Sequence, residues 1–235
     1  MVHVTKSGLY KQVNYLRNSL NLEPDEYGID TVKLCKDIGI RVENAPFCSP
    51  GLRGMAIVGN EGESDVIFLN SARTPREQNV DCGHECMHLG IHRNEPCRTF
   101  KCFEKVAPGQ DKYVEWQANE GSAELIVPYR NLLRQVKHYE HLLCNHANIA
   151  AFKAELKEVY NVTDAVITIR LESLKYEIAQ YLAGVPMDEL RILSNTSQIK
   201  EGIRIKSLNA IANGSYYIND LNMDIQLEQK RTALV

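Results

Sequence analysis

Apolar positions recur at helical spacing in the first third of the chain and alternate with polar ones further on. Leucine and valine every three or four residues predict a first helix over Val4–Leu20. Asp30 is a suitable N-cap for a second helix over Thr31–Asp37, which Gly39 ends. A strand over Ile40–Glu43 is predicted next.

Two β-like runs, Arg53–Val58 and Asp65–Leu69, are separated by six turn-rich residues. This pattern predicts a β-hairpin. The segment Thr74–Glu77 then has the spacing of a capping box with proline at the first helical position, and predicts a helix that runs to about His92.

After His92 the sequence predicts an irregular segment, then a helical one, then a β-like tail. Residues 93–112 contain two prolines and a glycine and are predicted to be irregular. Helical patterns then dominate up to about residue 190, and β-like pieces follow in the tail from Ile203 to Ile225. The predicted helices are Tyr113–Val127, one around Leu132–Leu143, Ile149–Tyr160, and one beginning after Thr163.

Composition and charge restrict the class of protein. The 235 residues carry 27 Lys+Arg against 30 Asp+Glu, and 44% are hydrophobic. Such a chain is an ordinary globular protein that is too evenly charged for strong nucleic-acid binding. No apolar run approaches the ~20 residues of a membrane span. Without a signal-peptide pattern, the seven cysteines are expected to be free thiols, and we expect a cytoplasmic protein that does not bind membranes.

The strongest chemical signal is the H-E-x-x-H pattern from His84 to His88, inside a predicted helix. Residues four apart lie on one helical face, so both imidazoles can bind one zinc ion while Glu85 acts on a water molecule. The opposite face carries Cys82, Cys86 and Leu89, which suit a core. The alternative interpretation is a pair of exposed or hydrogen-bonded histidines without a metal.

Glu115, at the start of the next predicted helix, can supply the third zinc ligand that such a site needs. Asn119 lies one turn later on the same face, where it can hydrogen-bond a ligating imidazole. Alone, Glu115 reads equally as a surface carboxylate favoured by the helix dipole. His92 either supports the site in the same way or caps the helix end.

The cysteines in the segment between the two predicted helices have two possible roles. Cys97 and Cys102 are four residues apart with no second pair, which is a weak pattern for a zinc site. We expect ordinary reduced cysteines, and the alternative is a thiol that reaches the metal and inhibits it.

Two motifs resemble the ImmA/IrrE family of metallopeptidases. The sequence His84–His92 is similar to the family's H-E-L-G-H-x-L-x-H, and Glu115–Pro128 is similar to its E-x-Q-A-N-x-F-A-A-E-L-L-M-P. The region Val159–Leu171 resembles the downstream helical part, so the likeness spans roughly Asp30–Leu174. The departures are Cys86 and Met87 for Leu-Gly, and Gly121 and Ser122 for Phe-Ala.

The resemblance implies an α+β fold: a zincin-like unit with a small β-sheet beside the active-site helix, followed by a mostly helical C-terminal region. The expected domains are residues 1–130 for the peptidase unit, 131–190 for the helical region, and 191–235 for an appendage of uncertain fold. A helix-turn-helix-like segment is expected at about 155–175, although its interleaved charges favour packing or partner recognition over DNA binding.

In function, the resemblance implies a zinc endopeptidase of the gluzincin type. His84, His88 and Glu115 would hold zinc, and Glu85 would act as general base and then as general acid. Family members act on helix-turn-helix repressors, so a repressor is the expected substrate, in mobile-element induction or a stress response. The two-His-plus-Glu set favours zinc, although other divalent metals can bind such a site.

The alternative function is a regulatory binding module that holds a repressor or toxin partner without catalysis. The intact Glu85 and a ligand set of three rather than four favour the enzyme. For substrate docking, we expect an extended peptide to add a strand to the edge of the hairpin near Arg53–Leu69.

Overall fold

A computed structural model describes residues 4–23, 26–140 and 146–205 of the chain. Within these residues the fold is α+β and mostly helical, with one small sheet, which confirms the predicted fold class. The helices are α1 (Lys6–Ser19), α2 (Thr31–Asp37), α3 (Pro75–Ile91), α4 (Lys112–Ile126), α5 (Tyr129–His138), α6 (His146–Val159), α7 (Asp164–Ser173), α8 (Lys175–Leu182) and α9 (Asn195–Lys200). The strands are β1 (Arg41–Ala45), β2 (Leu52–Ile57), β3 (Val66–Asn70) and β4 (Thr99–Phe103).

The chain divides into two compact units. The first comprises Leu9–Ile126 together with Val159–Thr163, and it contains the sheet and helices α2 to α4. The second comprises the described residues within 1–8, 127–158 and 164–235. The expected three-part division at about residues 130 and 190 stays a prediction, and the predicted β-like tail lies outside the described residues from 206 onward.

The sheet has the strand order β1-β3-β2-β4. Strands β2 and β3 pair antiparallel, as the hairpin prediction requires, β1 lies parallel to β3, and β4 lies antiparallel to β2. Both hairpin strands are therefore interior, and the prediction that the hairpin offers a free edge is wrong. The edges of this sheet are β1 and β4.

Strand β4 falls in the segment 93–112, which was predicted to be irregular, and this prediction is wrong for Thr99–Phe103. Thr99 and Lys101 are exposed while Phe100 and Cys102 are buried, so the strand alternates with the period of two that a half-buried strand requires. Pairing with β2 supplies the backbone partners that five residues of mixed polarity could not secure alone.

Helix α3 begins where its sequence predicts. The Glu77 backbone N–H donates to the Thr74 hydroxyl, the Thr74 N–H donates to the Glu77 carboxylate, and Pro75 occupies the first turn. Within the helix, Gly83 allows close contact with α4: a Cβ there would lie 2.8 Å from Ile126 Cδ1 and 3.0 Å from Ser122 Oγ. The two helices that carry the candidate donors are thus held together at minimal separation.

The hydrophobic core of the first unit lies between the sheet and the helices. As predicted, Cys82, Cys86 and Leu89 form the apolar face of α3 in this core. The Sγ atoms of Cys35 and Cys82 lie 3.8 Å apart, well beyond a disulfide bond. The other buried members of the core are Ala56, Val58, Ile67, Leu69, Phe100 and Val114.

In the second unit, Lys6 and Glu177 form a buried ion pair, with Nζ 3.0 Å from Oε1. Lys6 also donates to the carbonyl of Ser173, and the same Glu177 oxygen accepts from the Leu193 N–H. Among residues 4–23, 26–140 and 146–205, no helix has both the length and the apolar character to cross a bilayer.

Candidate metal centre

The structure brings together three donor groups from two helices. His84 and His88 lie one turn apart on α3, with their Nε2 atoms 3.1 Å apart. Glu115, in the first turn of α4, places one carboxylate oxygen 3.4 Å from His84 Nε2 and the other 3.8 Å from His88 Nε2. All three side chains are buried.

These separations suit a single metal ion. In a tetrahedral zinc site with bonds of about 2.0–2.1 Å, ligand atoms lie about 3.3 Å apart. The three donor separations scatter around that value. Two imidazoles and one carboxylate also form the set of protein ligands that leaves a fourth position open in catalytic zinc sites. The residues therefore fit a metal ion on both geometry and ligand chemistry.

Asn119 fixes the tautomer of His84. Its Oδ1, which can only accept, lies 3.0 Å from His84 Nδ1, so Nδ1 carries the proton and donates it. In neutral imidazole this leaves a lone pair on Nε2, the atom that faces the other donors.

His88 is oriented by a relay of two further residues. Gln117 Oε1 lies 3.1 Å from His92 Nε2, and His92 Nδ1 lies 3.0 Å from His88 Nδ1. With the Gln117 oxygen as acceptor, the Nε2 of His92 is the donor, so its Nδ1 accepts from His88. His88 Nε2 is therefore left free to bind a metal. His92 supports the site through a hydrogen bond, and its backbone N–H also caps α3 by donating to the His88 carbonyl.

Glu115 is held in turn by Gln110, whose side-chain amide donates to Oε1 at 3.0 Å. Neither Gln110 nor Gln117 was singled out from the sequence. Gln117 lies two residues after Glu115 within a motif already recognised, whereas Gln110 lies in the irregular loop before α4, where no spacing identifies it.

Glu85 has a buried carboxyl group beside these donors. It is fully buried, and neither oxygen has a hydrogen-bond partner within the described part of the chain. Gly54 on β2 provides the space for this group, because a Cβ at Gly54 would lie 2.9 Å from Glu85 Oε1. An unpaired buried carboxyl is costly to the fold and typical of functional sites.

The surroundings of these groups lower the pKa of His88 and raise the pKa values of His84 and Glu85. Burial, together with the charges of His84 and His92, lowers the pKa of His88 to about 2, which keeps it neutral as a ligand must be. Burial opposes protonation of His84 as well, but interactions with Cys102, Glu115 and Glu85 raise its pKa well above the usual value. Burial also raises the pKa of Glu85 well above its usual range, against the opposing effect of His84.

Strand β4 closes the site on another side. The ring of Phe100 stacks on His88 with centroids 4.4 Å apart and planes 8° apart. Cys102, two residues along the same face, belongs with His84 and Glu85 to a second group whose potential ligand atoms lie within 4.8 Å of one another. The sequence placed Cys102 in an irregular loop, and the alternation in β4 is the signal that could have located it.

Comparison with known sequences agrees with this geometry. The family profile described as the IrrE N-terminal-like domain, Peptidase_M78, matches residues 35–172, more than half of the chain. The chain belongs to this family. No curated protein matches the chain. Membership gives this protein a metallopeptidase-like domain, and the donor set His84, His88 and Glu115 lies inside the matched region.

Two departures from the family's motifs compensate for each other in the structure. Met87 stands where the resembling motif has glycine, and Gly121 stands where it has phenylalanine. A Cβ at Gly121 would lie only 3.0 Å from Met87 Sδ, so a large side chain on α3 occupies space that a small residue on α4 leaves. The Met87 side chain therefore packs beside Gly121, between the two helices that carry the candidate donors.

Proposed function

We propose that this member of the Peptidase_M78 family is a zinc-dependent endopeptidase in which Glu85 moves the proton. The observation that carries the proposal is the buried Glu85 carboxyl, which lacks a hydrogen-bond partner among the described residues and lies beside three metal-ligating groups. A structural metal site has no need for such a group, whereas hydrolysis of a peptide bond needs a general base at this position.

In this mechanism His84, His88 and Glu115 would hold zinc, with Asn119 and His92 keeping both imidazoles in the tautomer that binds metal. A bound zinc ion would supply Lewis acidity, which polarises a peptide carbonyl and acidifies water. Glu85 accepts a proton from the attacking water and returns it to the leaving amide nitrogen. Burial raises the pKa of Glu85, which makes its ionised form a stronger base than an exposed carboxylate.

We further propose that the substrate is a regulatory protein, and that a helix-turn-helix transcriptional repressor is its most suitable class. This rests on the resemblance of both motifs to the ImmA/IrrE peptidases, whose members act on such repressors. Residues 155–175, with α6 and α7 joined by a four-residue turn, would then serve packing or partner recognition.

The test separates metal binding from catalysis. Purified wild-type chain and Glu85→Gln are loaded with zinc and incubated with a proteome-derived peptide library, and new termini are identified by mass spectrometry. We expect cleavage by the wild type alone, with one zinc per chain in both proteins. Glu104→Gln, a change at an exposed glutamate, should cleave like the wild type.

A combined His84→Ala/His88→Ala variant should lose both zinc and cleavage, while His138→Ala, at an exposed histidine, should keep both. If wild type and Glu85→Gln give the same cleavage pattern, Glu85 is not the proton carrier. If the wild type binds zinc and cuts nothing, the proposal is overturned in favour of a module that only binds a regulatory partner.

A further inference from the structure

One face of β4 runs along the metal-bearing face of α3. Alternate residues of a strand lie about 6.6 Å apart, and four residues of a helix span about 6 Å. Phe100 and Cys102 on the strand can therefore match His88 and His84 on the helix, and Phe100 is seen stacked on His88. The buried Cys102 is correspondingly placed within 4.8 Å of potential ligand atoms of His84 and Glu85.

The sulfur of Cys102 is oriented by a second residue. Arg53 Nη2 donates to Cys102 Sγ at 2.8 Å. A guanidinium group has no acceptor, so the sulfur takes part in this contact through a lone pair. Arg53 Nε in turn lies 3.5 Å from the buried carboxylate of Asp81. The thiol is thus held in place by an ion pair anchored on α3.

Two independent observations identify this position as more than a packed thiol. His84 belongs to both candidate groups: it lies close to His88 and Glu115 and also to Cys102 and Glu85. The buried carboxyl of Glu85, without a hydrogen-bond partner in the described residues, lies in the same cluster. Thiolate sulfur is moreover a preferred ligand of zinc.

We propose that Cys102 is a fourth protein ligand of the metal held by His84, His88 and Glu115, and that it closes the site while no substrate is bound. This rests on the proposed function. In a tetrahedral site with a Zn–S bond of about 2.3 Å, sulfur and nitrogen ligands lie about 3.6 Å apart. The sulfur already lies within 4.8 Å of a potential ligand atom of His84, and ligation requires the Cys102 side chain to move toward His88 and Glu115 as well. On binding, the sulfur displaces the open-position water, its proton passes to solvent, and no oxidation state changes.

Opening then requires the reverse exchange, in which the sulfur leaves the metal and a water or a substrate carbonyl takes its place. Because β4 is an edge strand, its displacement breaks pairing with β2 alone among the described strands. A site with four protein ligands is otherwise typical of structural zinc and would be inactive.

Cobalt substitution tests the sulfur ligand directly. The metal-free full chain is titrated with Co²⁺, and absorption is recorded for wild type, Cys102→Ala and Cys102→Ser. We expect a sulfur-to-cobalt charge-transfer band in the wild type that both variants lack. Cys86→Ala, a change at a buried cysteine on the core face of α3, is the matched control and should keep the band.

Two further readouts follow from the same proteins. Zinc affinity of Cys102→Ala should fall by at least about tenfold, the smallest loss typical when a supporting residue of a metal site is removed. At saturating zinc, Cys102→Ala should turn over substrate faster than the wild type. A wild type without the band, a band that persists in both Cys102 variants, or turnover of Cys102→Ala no faster than the wild type would overturn the proposal.

The failures are distinguishable. If the wild type binds no cobalt or zinc at all, the proposed function and the sulfur ligand fail together. If it binds one metal ion that the His84→Ala/His88→Ala change removes, but without the charge-transfer band, only the role of Cys102 is refuted.

Discussion

Gly54 offers a way to move the proposed general base without altering any of the candidate metal ligands. In Gly54→Ala, the new Cβ would lie 2.9 Å from Glu85 Oε1, 3.2 Å from its Cγ and 3.5 Å from its Cδ. Non-bonded heavy atoms are comfortable at about 3.5 Å or more, so the carboxyl group must move by roughly 0.5–1 Å. No atom of His84, His88 or Glu115 would lie nearer than 3.5 Å to the new methyl group, so we expect these three side chains to keep their positions.

The expected effect is on turnover. A displacement of about 1 Å in a catalytic group can reduce rate about 10²-fold, so we expect kcat to fall by about 10- to 100-fold. Overall stability should fall by about 0–2.5 kcal/mol, because alanine in a strand gains about 0.5–1 kcal/mol over glycine against strain of about 1–3 kcal/mol from the tight contact. The zinc content should remain that of the wild type.

The assay measures kcat on a peptide that the wild type cuts, alongside zinc content and thermal denaturation of the same preparations. Gly121→Ala is the matched control, because its Cβ would also meet a flexible side chain at 3.0 Å, in this case Met87 Sδ. Equal turnover of Gly54→Ala and wild type would refute the reasoning. So would a loss of activity that follows a loss of zinc.

Substitutions at three further places have outcomes that the described contacts predict: at His92, at the Lys6–Glu177 pair and at Thr74. His92→Ala should weaken zinc binding by about 10- to 100-fold in a chelator competition, because His88 loses the acceptor that fixes its tautomer, whereas His138→Ala should have no effect. Lys6→Met or Glu177→Gln alone should lower the urea-unfolding free energy by about 3–5 kcal/mol, and the double variant by clearly less than the sum. Burial raises the pKa of Glu177, so the folded state binds this proton more tightly than the unfolded state does. The unfolding free energy of the wild type should therefore contain a component that falls as pH rises from 4.5 through the raised pKa. Glu177→Gln should lack this component. Thr74→Ala should cost about 1 kcal/mol in thermal unfolding and Thr74→Ser much less, since serine keeps the hydroxyl that caps α3.

The sequence alone predicts those helices whose stabilising contacts join residues close together in the chain. Asp30 caps α2 by accepting from the Lys33 N–H, and the capping box sets the start of α3. In both cases the side chain and its backbone partner are three residues apart, so the contact is encoded locally. The H-E-x-x-H spacing likewise predicts that His84 and His88 share a face.

Contacts between segments far apart in the chain could not be predicted from the sequence in this way. Strand β4 is stabilised by its pairing with β2, some forty-five residues earlier in the chain, and without that partner its composition reads as a loop. Both Cys102 and the relay residue Gln117 acquire their roles from neighbours on other elements. The α9 helix also went unpredicted, although Ser194 caps it through the Ser197 N–H.

Helix α3 contributes both to the hydrophobic core and to the candidate metal centre. Its apolar face belongs to the core of the first unit, while its other face supplies two of the three candidate metal donors. A ligand that binds only the folded state adds about 2.7 kcal/mol to folding at a concentration of 100 times its Kd. In the proposed metalloenzyme, occupancy of the centre and the free energy of folding are therefore thermodynamically linked, so metal scarcity would act on the abundance of this protein as well as on its activity.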